Sequence, residues 1–267
     1  MKPSSILTVC ALLASHASAA LVANFAFNGD YSNSGGAAAT PVGSQNFVTG
    51  KYGQAISLAS GLDYVNLNST TLGGIGTGNF TISLWVQYSG TVVSDPAFLS
   101  NKNWDSGANI GINYAIQAAG DLNINTFGGG TGGARNDYNG AETTNLTSGA
   151  WANLVLVRRG AELLYYFNGA QETANPTIAL AAGVTFANAN NFILGDDATT
   201  NYNEVSGTTG QNWNSPLLID DLAVWNEALT PSQITALQTS AAAAIPEPST
   251  VLFGAFGMLT VFRRRRA

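Results

Sequence analysis

The sequence predicts an all-β fold of two packed antiparallel sheets, and three observations predict it. Apolar residues recur with a period of two: Phe80, Ile82, Leu84 and Val86 alternate with Thr81, Ser83, Trp85 and Gln87, the pattern of a half-buried strand. Strand-length runs are separated by turns rich in Gly, Asn and Asp, with 30 glycines in 267 residues. Only one segment carries a helix signature. In chain order, strands are expected over 21–27, 54–58, 64–67, 80–86, 110–117, 121–125, 192–195 and 217–225. "WANLVLVRR" (151–159) turns at Gly160, Ala161 and Glu162 into "LLYYFNG" (163–169). Both runs are apolar on both faces, so this hairpin belongs in the covered middle of a sandwich. Thr230, Pro231 and Gln233 form a capping box with proline at the first helical position, opening a short lid helix to about residue 237. Many short strands joined by tight turns pack as two sheets about one core.

The two ends follow a different logic. Lys2, an apolar run over 6–13 and the small residues Ala17, Ser18 and Ala19 read as a secretory signal peptide over 1–19, cut after Ala19. The chain closes on "IPEPSTVLFGAFGMLTVFRRRRA". The 14 residues of 249–262, as a helix, reach about 21 Å, short of the roughly 30 Å hydrocarbon core. Gly254 and Gly257 weaken that helix further, while Arg263, Arg264, Arg265 and Arg266 snorkel to the headgroups. Pro246, Glu247 and Pro248, then the short span, then the basic end, together resemble the PEP-CTERM sorting signal of Gram-negative bacteria over 246–267. The resemblance implies transient insertion in the inner membrane and processing by a membrane transpeptidase, an exosortase. It also implies export to the cell envelope, the surface or the extracellular matrix. A plain tail anchor is the alternative reading. Basic residues stay on the cytoplasmic side, so everything between the two signals faces outward: a domain over 20–240 and a small-residue spacer over 241–245.

Composition then narrows the chemistry. The sole His, His16, and the sole Cys, Cys10, both fall in the expected signal peptide. The mature span thus has no Ser-His-Asp triad, no Cys nucleophile, no His- or Cys-ligated zinc and no disulfide. Residues 20–245 hold five basic residues (Lys51, Lys102, Arg135, Arg158, Arg159) against fifteen acidic ones, a net charge near −10. Nucleic acid and anionic membrane surfaces need a basic footprint and are excluded as partners. A span of this length is enough for one large β domain with a real core.

A family resemblance rests on six blocks in order: "LVANFAFNGDYSNSG" (21–35), "GKYGQAISLASGLDYVNL" (50–67), "FTISLWV" (80–86), "WANLVLVRRGAELLYYFNG" (151–169), "FILGDD" (192–197) and "LIDDLAVWNEALTPSQITAL" (218–237). They resemble the successive blocks of laminin G-like, concanavalin A-like jelly-roll domains. The resemblance implies a jelly-roll sandwich that binds glycans or proteins, sometimes with calcium, and in distant branches cleaves glycans. Retaining glycosidases of this architecture carry two glutamates and an aspartate on one strand, since acid and nucleophile flank one bond at about 5 Å. Here the glutamates are scattered at 142, 162, 172, 204, 227 and 247. An enzyme is not expected.

Two sets of residues are candidates for binding. Calcium needs six to eight oxygens. Asp220 shares strand parity with Leu222 and Val224, which would turn it toward the core, where an unpaired carboxylate is costly. Asn28 and Asp30 in the first block, with Asp196 and Asp197 after "FILG", supply further oxygens if the blocks converge. The alternative is that Asp220 accepts backbone N–H bonds and the loop acids are solvated. For sugars, flat apolar faces stack on aromatic rings and amides orient hydroxyls. Trp104, Tyr138, Tyr202 and Trp213 each sit among polar, turn-forming neighbours and are the expected stacking residues, or else covers for the sandwich ends. Trp85, Trp151 and Trp225 lie within strand patterns and are expected to pack. The expected function is a non-catalytic surface module for extracellular polysaccharide or another envelope glycan; a protein-binding or structural role on the same fold is the rival, and a glycosidase a third.

The tail makes a direct prediction. Intact-mass measurement on protein from its native cell should find a mature species that ends near residues 246–249 and lacks the four arginines. A species still ending in Arg-Arg-Arg-Arg-Ala would identify a short tail anchor instead.

Overall fold

The computed structural model describes residues 20–58, 63–89, 92–93, 96–103, 109–116, 122–130, 133–139, 146–172, 178–200, 212–213 and 216–245. The expected signal peptide, with Ala17 and Ala19, and the sorting tail from Pro246 onward lie outside them. The strands are β1 (Leu21–Phe25), β2 (Thr40–Val42), β3 (Gln45–Thr49), β4 (Gln54–Leu58), β5 (Tyr64–Asn66), β6 (Phe80–Tyr88), β7 (Val92–Val93), β8 (Ala97–Ser100) and β9 (Gly111–Ile116). They continue as β10 (Leu122–Phe127), β11 (Arg135–Asn139), β12 (Ala152–Arg159), β13 (Glu162–Phe167), β14 (Ala170–Gln171), β15 (Ile178–Ala179), β16 (Ile193–Leu194), β17 (Asn212–Trp213) and β18 (Leu217–Trp225). One helix, α1 (Pro231–Ala236), and a 3-10 turn, Ala242–Ala244, follow.

These strands form the expected sandwich. The first sheet runs β14-β13-β12-β6-β18-β4-β3, with β1 added on β18 and β15 on β13; the second runs β11-β10-β9-β8-β16-β5-β2. The pairings are antiparallel, and β17 pairs with β7 in a small ribbon. Period two explains why the sheets stack. Ile82 and Leu84 of β6, Leu154 and Leu156 of β12, and Ile219 of β18 meet Val65, Ile112, Tyr114 and Ile124 of the second sheet in one buried core. Such inward-facing rows, interdigitated across two sheets, are what hold a sandwich together.

The first sheet is also covered on its outer face. Val155, Val157, Leu164, Tyr166 and Trp225 point away from the main core and form a second one with Ile234 of the helix and Leu237 at its C-terminal end. This is why the β12–β13 hairpin is apolar on both sides. The helix begins as its sequence requires: Gln233 N–H donates to Thr230 Oγ1 at 3.3 Å, and Thr230 N–H donates to Gln233 Oε1 at 2.9 Å. Thr81 Oγ1 steers the connection into it, donating to Glu227 O and accepting from Leu229 N–H. No helix among the described residues is long and apolar enough to cross a membrane.

The segment 241–245, expected as a small-residue spacer, is packed into the domain. Ala242 and Ile245 are buried in the second core, and Ala242 N–H donates to Asp221 Oδ2 at 2.6 Å. A composition of small residues reads as a linker, yet small residues also fit where a turn must lie flat on a sheet. A domain truncated after Ser240 should therefore be less stable than one truncated after Ile245, by on the order of 3 kcal/mol from one buried side chain and one charge-assisted hydrogen bond. Denaturant melts of the two fragments test this, and equal midpoints would return 241–245 to the role of a spacer.

Candidate functional site

Asp220 sits on β18 where the strand bulges. Asp220 pairs with Trp85 and Ala223 with Ser83, so Asp221 and Leu222 together oppose a single residue of β6, and Asp221 takes a left-handed φ of 46°. An inserted residue reverses strand parity. Leu222 and Val224 face the main core, whereas Asp220 shares the outer face of the first sheet with its partner Trp85. The inward orientation expected from parity is thus corrected. Asp220 is nonetheless fully buried, because the β3–β4 turn closes over it. Tyr52 N–H donates to Asp220 Oδ2 at 2.8 Å. A Cβ on Gly50 would lie 2.6 Å from that same oxygen and 2.6 Å from the Gln54 carbonyl carbon, so only glycine fits there. Lys51 Nζ lies 4.2 Å from the centroid of the Trp85 ring, and the Tyr52 hydroxyl donates to Leu237 O at 2.7 Å. Asp221 faces two different partners, accepting from Asn24 Nδ2 at 3.0 Å and from Ala242 N–H.

Two adjacent carboxylates buried in this way are hard to ionise. Burial pushes Asp220 up to about 6, with the Asp221 charge adding to it and the N–H bonds of Tyr52, Lys51 and Asp221 pulling back. Burial likewise raises Asp221, against the hydrogen bonds of Ala242 and Asn24.

The other calcium candidates lie apart. Asn28 Oδ1 accepts from Gln54 N–H at 2.7 Å, on the β3–β4 turn. Exposed Asp30 accepts from Ser32 N–H and Oγ, which hold its carboxyl below the usual range. Asp196 and Asp197 follow β16 of the second sheet. No group of three or more His, Cys, Asp or Glu comes together among the described residues, and Asp220 Oδ2 accepts an N–H bond from Tyr52 while Oδ1 has no hydrogen-bond partner.

A different polar cluster occupies the outer face of the second sheet. Register places Asn113 of β9 between Ser100 of β8 and Asn125 of β10, on the side opposite the core residues Ile112 and Tyr114. Ser100 Oγ donates to Lys102 O at 2.9 Å, and Lys102 Nζ donates to Asn125 Oδ1. Gly195, at a φ of +81°, reverses the chain after β16, so that Ala198 N–H reaches Lys102 O at 3.1 Å. Asp196 and Asp197 come with it: Asp197 N–H donates to Asp196 Oδ1 at 2.7 Å, and Thr199 donates twice to Asp197 Oδ1. Ser100, Lys102, Asn113, Asn125, Asp196 and Asp197 are all 0 % exposed. Asn113 stands out, since neither its Oδ1 nor its Nδ2 has a partner. An orphaned buried amide costs roughly 1–3 kcal/mol and calls for a physical explanation.

Of the expected sugar-stacking residues, Trp104 and Tyr202 lie outside the described residues. Tyr138 lies on β11, paired with Ile124, and Trp213 on β17, paired with Val92; their side chains lie outside the described residues. The amide row was missed. Its signal was present in "GINYAI" and "LNINTF", where Asn, a residue depleted in strands, recurs inside a strand rather than at its ends.

Two antiparallel sheets in this order define a jelly-roll sandwich. The chain belongs to the concanavalin A-like lectin/glucanases superfamily, whose family model matches residues 59–235. Among solved structures, it is similar to domain 4 of AbnA, an extracellular arabinanase from Geobacillus stearothermophilus solved with arabinotriose (22% identity, TM-score 0.56, covering 84% of this chain and all of that domain). It is also similar to the botulinum neurotoxin serotype D ligand binding domain solved with N-acetylneuraminic acid (15% identity, TM-score 0.59). That match covers 82% of this chain and 50% of the toxin domain. The binding domain of Paraclostridial Mosquitocidal Protein 1 is a third (16% identity, TM-score 0.57, covering 82% and 51%). No curated protein matches the chain in sequence.

Asp220 gives a signed pH dependence. Its folded value is raised above the ordinary 3.8, so its stabilising share is complete below that value and is lost as pH rises through about 6. Relative to Asp220→Asn, the wild type should lose about 3 kcal/mol of stability between pH 3 and pH 7. Parallel stability profiles for the two proteins across that range would show that Asp220 titrates as an ordinary aspartate.

Proposed function

We propose that this protein is an exported, surface-sorted and non-catalytic module that binds an extracellular polysaccharide or another envelope glycan. The observation that carries the binding reading is Asn113, a fully buried amide with donor and acceptor both unused, set in a row of polar groups on a sheet face that the main core does not need. Amides and carboxylates held in fixed positions are the groups that orient sugar hydroxyls. Trp104, Tyr138, Tyr202 and Trp213 are the proposed stacking residues; in sequence Trp104 follows Lys102 by two residues and Tyr202 follows Asp197 by five. The arabinotriose and N-acetylneuraminic acid complexes of similar folds support a glycan as the ligand. The scattered glutamates support the absence of catalysis. Export rests on the signal-peptide pattern over 1–19, and surface sorting by an exosortase-type enzyme on the motif over 246–267.

A screen against immobilised polysaccharides, with and without calcium, tests the reading. Asn113→Leu separates binding from folding, because the two effects have opposite signs. Removing the orphaned amide should hold or raise the melting temperature, yet binding should weaken tenfold or more. Undiminished binding by a folded Asn113→Leu would move the site elsewhere. If the wild type bound no glycan, a protein-binding or structural surface role would replace this one.

A further inference from the structure

The sole cysteine, Cys10, falls in the expected signal peptide, so no disulfide can tie the strands of the domain together. A lysine and an asparagine of the second sheet are placed for a different covalent tie. Lys102 follows β8, and Ser100 fixes its backbone: Lys102 N–H donates to Ser100 Oγ at 3.1 Å, and Ser100 Oγ donates to Lys102 O at 2.9 Å. Gly111 of β9 makes room for the lysine stem, since a Cβ there would lie 2.9 Å from Lys102 Cβ. The side chain thus spans β9 and reaches β10, where Lys102 Nζ donates to Asn125 Oδ1. Both residues are fully buried.

An amine held against an amide carbonyl, away from water, is a reacting pair. Lysine attacks only as the neutral amine, and exclusion of water favours that form while keeping hydrolysis out. Fixed contact replaces a bimolecular encounter, which raises the rate of such a step by many orders of magnitude. Ala198 N–H donates to Lys102 O at 3.1 Å, and this bond brings the turn of Asp196 and Asp197, acids able to carry protons, to the lysine's backbone.

We propose that Lys102 and Asn125 join in an intramolecular isopeptide bond, made by the folded chain itself. The Nζ lone pair attacks Asn125 Cγ; the Nζ–Cγ bond forms and the Cγ–Nδ2 bond breaks. Of the three ammonium protons, one is given up before the attack, one passes to the departing Nδ2 and one stays on the new amide. The leaving nitrogen departs as ammonia, which takes up the first proton to become ammonium. No oxidant and no second substrate takes part. The product ties the end of β8 to β10 across 23 residues, whether or not the sheet binds a glycan.

Mass spectrometry of the full chain, purified in its folded state, tests the bond. Lys51, Lys102 and Arg135 are successive tryptic sites. An isopeptide at Lys102 removes the middle one, so digestion after unfolding should release 52–135 as a single fragment, lighter than its sequence by one molecule of ammonia. Fragment ions from within 102–125 should be missing, because those residues lie in a closed ring. Asn125→Ala should restore cleavage after Lys102 and the full sequence mass, and Lys102→Arg should be cut at the same place. The wild-type digest decides the matter even where these variants do not fold. Separate wild-type fragments 52–102 and 103–135 at their full sequence masses overturn the proposal, and so does an ammonia loss located at any other residue.

Discussion

The carboxylate of Asp220 ties the β3–β4 hairpin to the last strand, and much of the first sheet is arranged around that contact. Tyr52 N–H and Asp220 are 168 residues apart in sequence and 2.8 Å apart in space. Holding a carboxylate away from water is unfavourable unless hydrogen bonds replace the lost solvation, so the turn must approach closely, and Gly50 is what lets it do so. The bulge that turns Asp220 outward also frees Asp221 to bind Asn24 of β1 and the amide of Ala242. Two consecutive acids thereby join the first strand, the first long hairpin, the last strand and the end of the domain.

Much of this architecture could be read from the chain. Phe80–Tyr88 is a strand as its alternation predicts, although it is covered on both faces rather than half-buried; the apolar runs around Gly160 form the expected hairpin; Thr230 and Gln233 cap the helix reciprocally. What could not be read has physical causes. In "LLIDDLAVW" both faces of the strand are buried, so apolar residues at every other position fail to reveal the single-residue insertion that reverses parity at Asp220. Strands such as Thr40–Val42 and Ala97–Ser100 are too short for a period to show. Ala241 to Ala244 have the composition of a linker, and only the sheet beneath them explains why they pack.

The two outer faces of the sandwich are built differently. On the first sheet, the helix and the 3-10 turn seal an apolar surface. On the second, the corresponding side holds Ser100, Asn113 and Asn125, all fully buried, across three neighbouring strands. Loop aromatics drew attention at the level of sequence because they are exceptional among polar neighbours. The strand amides did not, because Asn is common throughout this chain and gains meaning only when register sets it side by side with others.

The position of β18 also bears on when this domain can fold. The strand at the middle of the first sheet, between β6 and β4, is the last one made, and it also carries β1, with Trp225 opposite Leu21. Until residue 225 is available, β6 and β4 have no neighbour between them and β1 has nothing to pair with. Closure over such sequence distances is entropically slow, on the order of milliseconds to seconds for β-rich topologies. In this topology the middle of the first sheet is completed only by the last of the described strands.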